Sequence, residues 1–138
     1  MMSALPQNYR PSDKESFMNP MQQEYFRRKL LKWKEELLQE SNQTLQNMTE
    51  ESLAQPDLAD RATAETDRAL ELRTRDRYRK LISKIDSALR RIDEDVYGYC
   101  EETGEPISLK RLEARPIATL SVEAQERHER MERTKRDD

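Results

Sequence analysis

Two runs of apolar residues, each stepping by threes and fours, constrain this chain more than anything else in it. In the first, Phe26, Leu30, Trp33 and Leu37 are spaced four, three, four. In the second, Tyr78, Leu81, Ile85, Ala88 and Ile92 alternate three and four. Such spacing gathers each set on one stripe of a helix, the seam of a coiled coil. Leu31, Leu38 and Leu45 add a row at sevens to the first helix; Ile82, Leu89 and Val96 broaden the stripe of the second. Between the runs stands Pro56, which cannot continue a helix and pushes the residue before it out of the helical region. Two helices of roughly 30 residues or more, joined by a short turn, return antiparallel. Neither can bury its seam alone, so each serves as the other's core. With a rise of about 1.5 Å per residue, the hairpin is about 45 Å long.

Composition agrees with a narrow core. Hydrophobic residues make up 34% of the chain and charged residues 38%, yet the net charge is only −3. Interspersed charges of both signs and only two glycines fit long helices whose surface is mostly solvated. A single cysteine cannot form an internal disulfide, which suits a reducing compartment. No run of about 20 apolar residues could span a membrane. The opening "MMSALPQNYRPSDKESF" lacks an apolar signal core. A cytoplasmic protein is expected.

The expected fold is mainly α. Residues 1–20, with Pro6, Pro11 and Pro20, form an arm that packs with or near a globular base. Asn19 caps the first helix, with Pro20 at its first position. Residues 21–97 form the antiparallel coiled coil, its tip near 52–62, and Gly98 ends the second helix. Residues 98–120, with Gly104, Pro106 and Pro116, form a compact irregular module with Leu109, Leu112, Ile117 and Leu120 as candidate core. Ser121 then caps a very polar last helix over 121–138.

Three places carry candidate function. The turn "PDLADRATAETD" puts Asp57 and Asp60 at the far end of the rod. Asp57 is well placed as an N-cap and Asp60 in the first turn, where carboxylates favour the positive end of the helix. The same two carboxylates, on the end of a thin rod, could also act inside a narrow channel; the residues alone leave both readings open. On the second helix Arg73, Arg77, Lys80 and Lys84 share one face, with Arg91 two turns beyond Lys84. Lys110, Arg111 and Arg115 add charge from the irregular module. Cationic rows of this kind suit an acidic protein, a phosphate ligand or a nucleic-acid backbone. A net acidic chain with few aromatics to stack bases argues against nucleic acid.

The third place is Cys100. It stands three positions before Thr103; after seventeen intervening residues, Ser121 stands three positions before Ala124. Cysteine at all four would make a zinc knuckle, but zinc wants four Cys or His ligands in tetrahedral array. His128, a turn beyond Ala124, does not complete the set, so no bound metal is expected. Thr103 and Ser121 are expected to hydrogen-bond across the old ligand cage. One His, one Cys and no glycine-rich loop leave no credible nucleophile–base pair, so the chain is not expected to be an enzyme.

The stretches "QPDLADRA", "LELRTRDRYRKLISKI" and "DEDVYGYCEETGEPISLKRLEARPIATL", with the CxxT…SxxA skeleton, resemble the DksA branch of the DksA/TraR family. The resemblance runs from roughly Tyr25 to Ala124. It implies a coiled coil with an acidic tip on a small globular base. It also implies direct binding to bacterial RNA polymerase as a monomer, without a DNA site of its own. The coiled coil would enter the secondary channel and, with the alarmone ppGpp, repress ribosomal RNA promoters and activate some amino-acid promoters. The family's DxxDxA tip falls on Asp57, Asp60 and Ala62. Its alarmone contacts fall on Leu81, Lys84 and Arg115, with Arg77 nearby on the same helix. A lysine of zinc-bearing members is Gln125 here. The positions of the zinc cysteines are Cys100, Thr103, Ser121 and Ala124, as in members that dispense with zinc. Two other readings are a transcript-cleavage factor like the Gre proteins, which hold a catalytic metal with tip carboxylates, and a coiled-coil adaptor with no part in transcription.

Overall fold

The computed structural model describes residues 5–54 and 61–137, without the side chains of 52–54, 61, 62, 136 and 137. Four helices follow one another: α1 (Pro20–Ala54), α2 (Arg61–Asp93), α3 (Leu109–Ala114) and α4 (Val122–Asp137). No strand forms among the described residues; an isolated antiparallel bridge pairs Tyr99 with Pro106. The chain makes two compact units. One, the arm, is Leu31–Asp86; the other, the base, takes the residues up to Leu30 and those from Ser87 onward. The root of α1 and the end of α2 therefore belong to the base.

The start of α1 follows the sequence. Asn19 Oδ1 accepts from the Gln22 N–H at 3.0 Å, so Asn19 is the N-cap and Pro20 the first helical residue. The end of α2 does not follow it. The helix stops at Asp93, five residues before Gly98. Asp95 takes the left-handed conformation (φ 60°), the Val96 N–H returns to Arg91 O at 2.9 Å and the Asp95 N–H to Ile92 O at 3.1 Å. This is a Schellman cap closed by aspartate, which tolerates that conformation better than most side chains. Gly98 has a different duty. Its φ is 93°, and a Cβ there would lie 3.1 Å from the Phe17 ring and 3.2 Å from Met18 Cγ. Glycine is needed so that the N-terminal segment can lie against this turn.

In the arm the two helices run antiparallel, since partners fall along α2 as they rise along α1. Lys34 Nζ meets Asp86 at 2.7 Å; Glu40 accepts from the Tyr78 hydroxyl at 3.1 Å, and Thr44 lies 3.4 Å from the same hydroxyl. Leu37, Tyr78 and Ile85 are buried, whereas Trp33 and Leu81 are half-buried. The row at sevens is not core, although its third member, Leu45, is half-buried. Leu31 is 44% and Leu38 46% exposed, because a two-helix seam has one partner and covers one stripe. Val96 is exposed for the related reason that it lies beyond the helix end.

The base has a true core. Phe26 and Leu30 from α1, Ala88 and Ile92 from α2, and Tyr97, Ile107, Leu112 and Ile117 are all buried. Each such aliphatic or aromatic side chain contributes about 1.5–3 kcal/mol by leaving water. Of the four expected core residues in the module, Leu109, Leu112 and Ile117 are buried and Leu120 is half-buried. Tyr97 locks the module: its ring packs 5.6 Å from that of Phe26, and its hydroxyl donates to Pro116 O at 2.7 Å. Ser108 caps α3 by accepting from the Arg111 N–H at 3.2 Å.

Candidate functional site

Of the three candidate places, the tip is the least described. Asp57 and Asp60 lie outside the described residues; Ala62 belongs to the first turn of α2, its side chain undescribed.

The basic row is exposed along α2. Arg73, Arg77, Lys80 and Lys84 all face solvent, and Leu81 beside them is half-buried. Part of the charge is spent locally. Lys80 pairs with Asp76 at 3.0 Å, and the Arg77 guanidinium sits 5.5 Å from the centre of the Tyr78 ring. Such exposed pairs are weak and easily exchanged for an outside partner. Arg91, expected on the same face, instead lies half-buried in the base. Its Nε donates to Ser87 O at 3.4 Å and its guanidinium lies 6.0 Å from the Tyr97 ring centre. Burial holds its pKa below the usual arginine range, partly offset by Glu101 and Tyr97. Arg115 is exposed in the base, where its N–H closes α3 on Arg111 O at 2.7 Å. Arg77, Leu81 and Lys84 thus belong to the arm and Arg115 to the base. Gln125 is half-buried on α4, its amide 3.3 Å from Glu129.

The degenerate knuckle is well formed. Cys100 is 2% exposed. Burial by itself raises its pKa, but the Thr103 hydroxyl and the N–H groups of Ser121, Thr103 and Glu102 donate to the sulfur, and the balance brings it down to about 6. The thiolate prevails at neutral pH. The loop around it is tied by Cys100 N–H to Glu105 O (2.8 Å), Gly104 N–H to Cys100 O (2.9 Å) and Glu101 N–H to Thr119 O (2.9 Å). Ser121 Oγ accepts from the Ala124 N–H at 3.2 Å and so caps α4 as expected; Ala124 is fully buried. Thr103 and Ser121 do not bond to each other across the cage. Each donates to the sulfur between them. His128 makes a short contact from α4 to Glu102 in the same module.

Two residues that hold this region gave no signal in the sequence. Gln22 is fully buried on α1, accepting from the Met18 N–H at 2.8 Å and donating to Ser12 O at 3.3 Å. It binds the N-terminal segment to the helix, helped by the Phe17 and Tyr99 rings, edge to face at 5.3 Å. Glutamine on a helix is ordinarily a surface residue, so its pattern announces nothing. Tyr97 stands outside the seam's period, and its partners come from distant sequence.

Comparison with known proteins agrees with this architecture. The family model of the DksA N-terminal domain (DnaK suppressor protein) matches residues 22–92, and that of the prokaryotic dksA/traR C4-type zinc finger matches residues 96–130. A Caulobacter vibrioides protein named RNA polymerase-binding transcription factor DksA is 69% identical over 131 residues, 95% of this chain and 92% of that one. This chain belongs to the DksA family. The Escherichia coli K12 protein of the same name is 43% identical over 83% of this chain and 76% of its own length. The solved structure of transcription factor DksA2 from Pseudomonas aeruginosa superposes with a TM-score of 0.65 at 39% identity, covering 85% of this chain and 90% of the other.

The finger of that family model implies zinc, and the residues here do not fit it. One thiolate stands where four are required. Thr103 is a neutral hydroxyl, Ser121 Oγ is spent capping α4, and Ala124 offers no donor atom. Among the described residues no three His, Cys, Asp or Glu side chains converge as a metal site. No helix of the described residues is long and apolar enough to cross a membrane.

Proposed function

We propose that this chain binds bacterial RNA polymerase directly and regulates transcription without an enzymatic activity of its own. The observation that carries the reading is the 69% identity, across 95% of the chain, to a relative named for polymerase binding. In the finer reading the arm enters the secondary channel and presents Asp57, Asp60 and Ala62 to the catalytic centre. The residues proposed to contact the alarmone ppGpp are Leu81, Lys84 and Arg77 of the arm and Arg115 of the base. The exposed cations of the row, held locally by weak contacts alone, support a phosphate-rich effector. The factor works in the cytoplasm as a monomer, repressing ribosomal RNA promoters and activating amino-acid promoters. It does so without zinc, because Cys100 and its N–H donors hold the base.

The test is transcription in vitro from a ribosomal promoter with purified polymerase, comparing wild type with Asp60→Asn, with and without ppGpp, and each with the factor treated or not treated beforehand with a zinc chelator. The wild type is expected to inhibit, more strongly with ppGpp, while Asp60→Asn binds and does not inhibit. Binding by the wild type with no change in transcription would sink the regulator reading. Activity lost on chelation would sink zinc independence.

A further inference from the structure

On the base, the turn at residues 7–10 faces α1 and α3 across an open polar cavity of about 550 Å³. That size suits a small metabolite. Its charges are Arg10, Lys29 and Glu113. Lys29 and Glu113 satisfy each other at 2.9 Å, and Glu113 also accepts from the Tyr25 hydroxyl. Arg10 forms no close ion pair among the described residues, although its charge reaches Glu113 and Tyr25 through space; neither of the amide side chains of Gln7 and Asn8 is hydrogen-bonded there.

The aromatic walls add no negative charge. The rings of Tyr9 and Tyr25 meet edge to face at 6.2 Å. The Tyr9 hydroxyl donates to Glu15 at 2.7 Å. Burial, with these carboxylates next to the hydroxyls, pushes the pKa of each tyrosine up to about 12, so both stay neutral. Glu15, which does not line the cavity, is engaged by Tyr9 and Asn19. Two cations and one carboxylate leave the lining with a net positive charge, and the exposed Arg10 guanidinium is the cation outside the close ion pair, its planar fork matching a two-oxygen acceptor.

We propose that this cavity binds the oxyanion of a small polar metabolite, a phosphate or a carboxylate. Arg10 grips it and the Asn8 and Gln7 amides supplement the grip. The Lys29–Glu113 pair forms the floor and holds the cavity open between α1 and α3. Occupancy would fasten the N-terminal turn to the base.

The experiment is an amide NMR titration of the ¹⁵N-labelled full chain with inorganic phosphate and, separately, with succinate. The amides of Asn8, Arg10 and Tyr25 are expected to move saturably. Arg10→Gln should weaken that binding at least tenfold without lowering the melting temperature of the unliganded protein. Lys84→Gln should leave these shifts unchanged. Movement with phosphate alone assigns a phosphate ligand, and movement with succinate alone a carboxylate. No saturable movement with either, or equal affinity in Arg10→Gln, overturns the site. Polymerase takes no part in the measurement, so its outcome is separate from that of the regulator reading.

Discussion

Leu30 and Leu37 lie two turns apart on one helix and do the same job in different company. Leu30 is fully buried in the base, with Phe26, Tyr97 and Leu112 among the buried residues of the same unit. Leu37 is 6% exposed in the arm, where the other buried side chains among the described residues are Tyr78 and Ile85. The base draws on several elements and closes a core; the arm has two helices and one seam between them. The arm makes up the difference with pairs such as Lys34–Asp86 and the Glu40–Tyr78–Thr44 cluster, half in water and individually weak. The base can keep an irregular loop in place with a buried thiolate.

The largest effect should come from that difference itself. Leu30→Ala is expected to cost about 3–5 kcal/mol, and Leu37→Ala about 2–3 kcal/mol because the thin arm can collapse partly around the gap. Urea denaturation followed by circular dichroism measures both. Equal losses would mean that the arm is packed as tightly as the base, and the contrast would fail.

Next in size is the thiolate. The folded pKa of Cys100 is about 6, below the ordinary thiol value near 8.5. A depressed acid stabilises the fold above the unfolded pKa and loses that contribution as pH falls through the folded one. Wild type should exceed Cys100→Ser by on the order of 1–3 kcal/mol at pH 9, with the gap closing between about pH 8.5 and pH 6. Melting curves at a series of pH values will show it. A gap independent of pH would mean that the sulfur packs as a neutral thiol.

The smallest effect is on the arm's surface. Lys34→Gln removes the partner of Asp86 and should cost no more than about 1 kcal/mol in dilute buffer, and less in 1 M salt. A loss that ignored salt would show that Lys34 acts through its aliphatic stem against the seam rather than through charge.

Much of this molecule was legible from residue order, because its helices are governed by local rules. The seam of threes and fours, the Asn19–Pro20 start and the Ser121 cap each need only a few consecutive residues. The loss of three knuckle ligands was equally plain, since Thr103, Ser121 and Ala124 could be read against the spacing of a metal site. What the local pattern misjudged lay at places decided by distant neighbours. Leu31 and Leu38 carry the same hydrophobic period as the seam, yet no third helix arrives to cover them. Gly98 looked like a helix stop, but Asp95 closes the helix, and the glycine makes room for Phe17 from some eighty residues away. Gln22 became an interior residue only because the backbone at Ser12 and Met18 folds over it. The lowered pKa of Cys100 likewise draws on the Ser121 N–H, which only the fold brings across the module. Periodicity determined which helices form, because helix formation is local. Which faces are covered, and which groups are charged once covered, was left to the tertiary structure, since burial and hydrogen bonding depend on partners that the chain brings from far along its length.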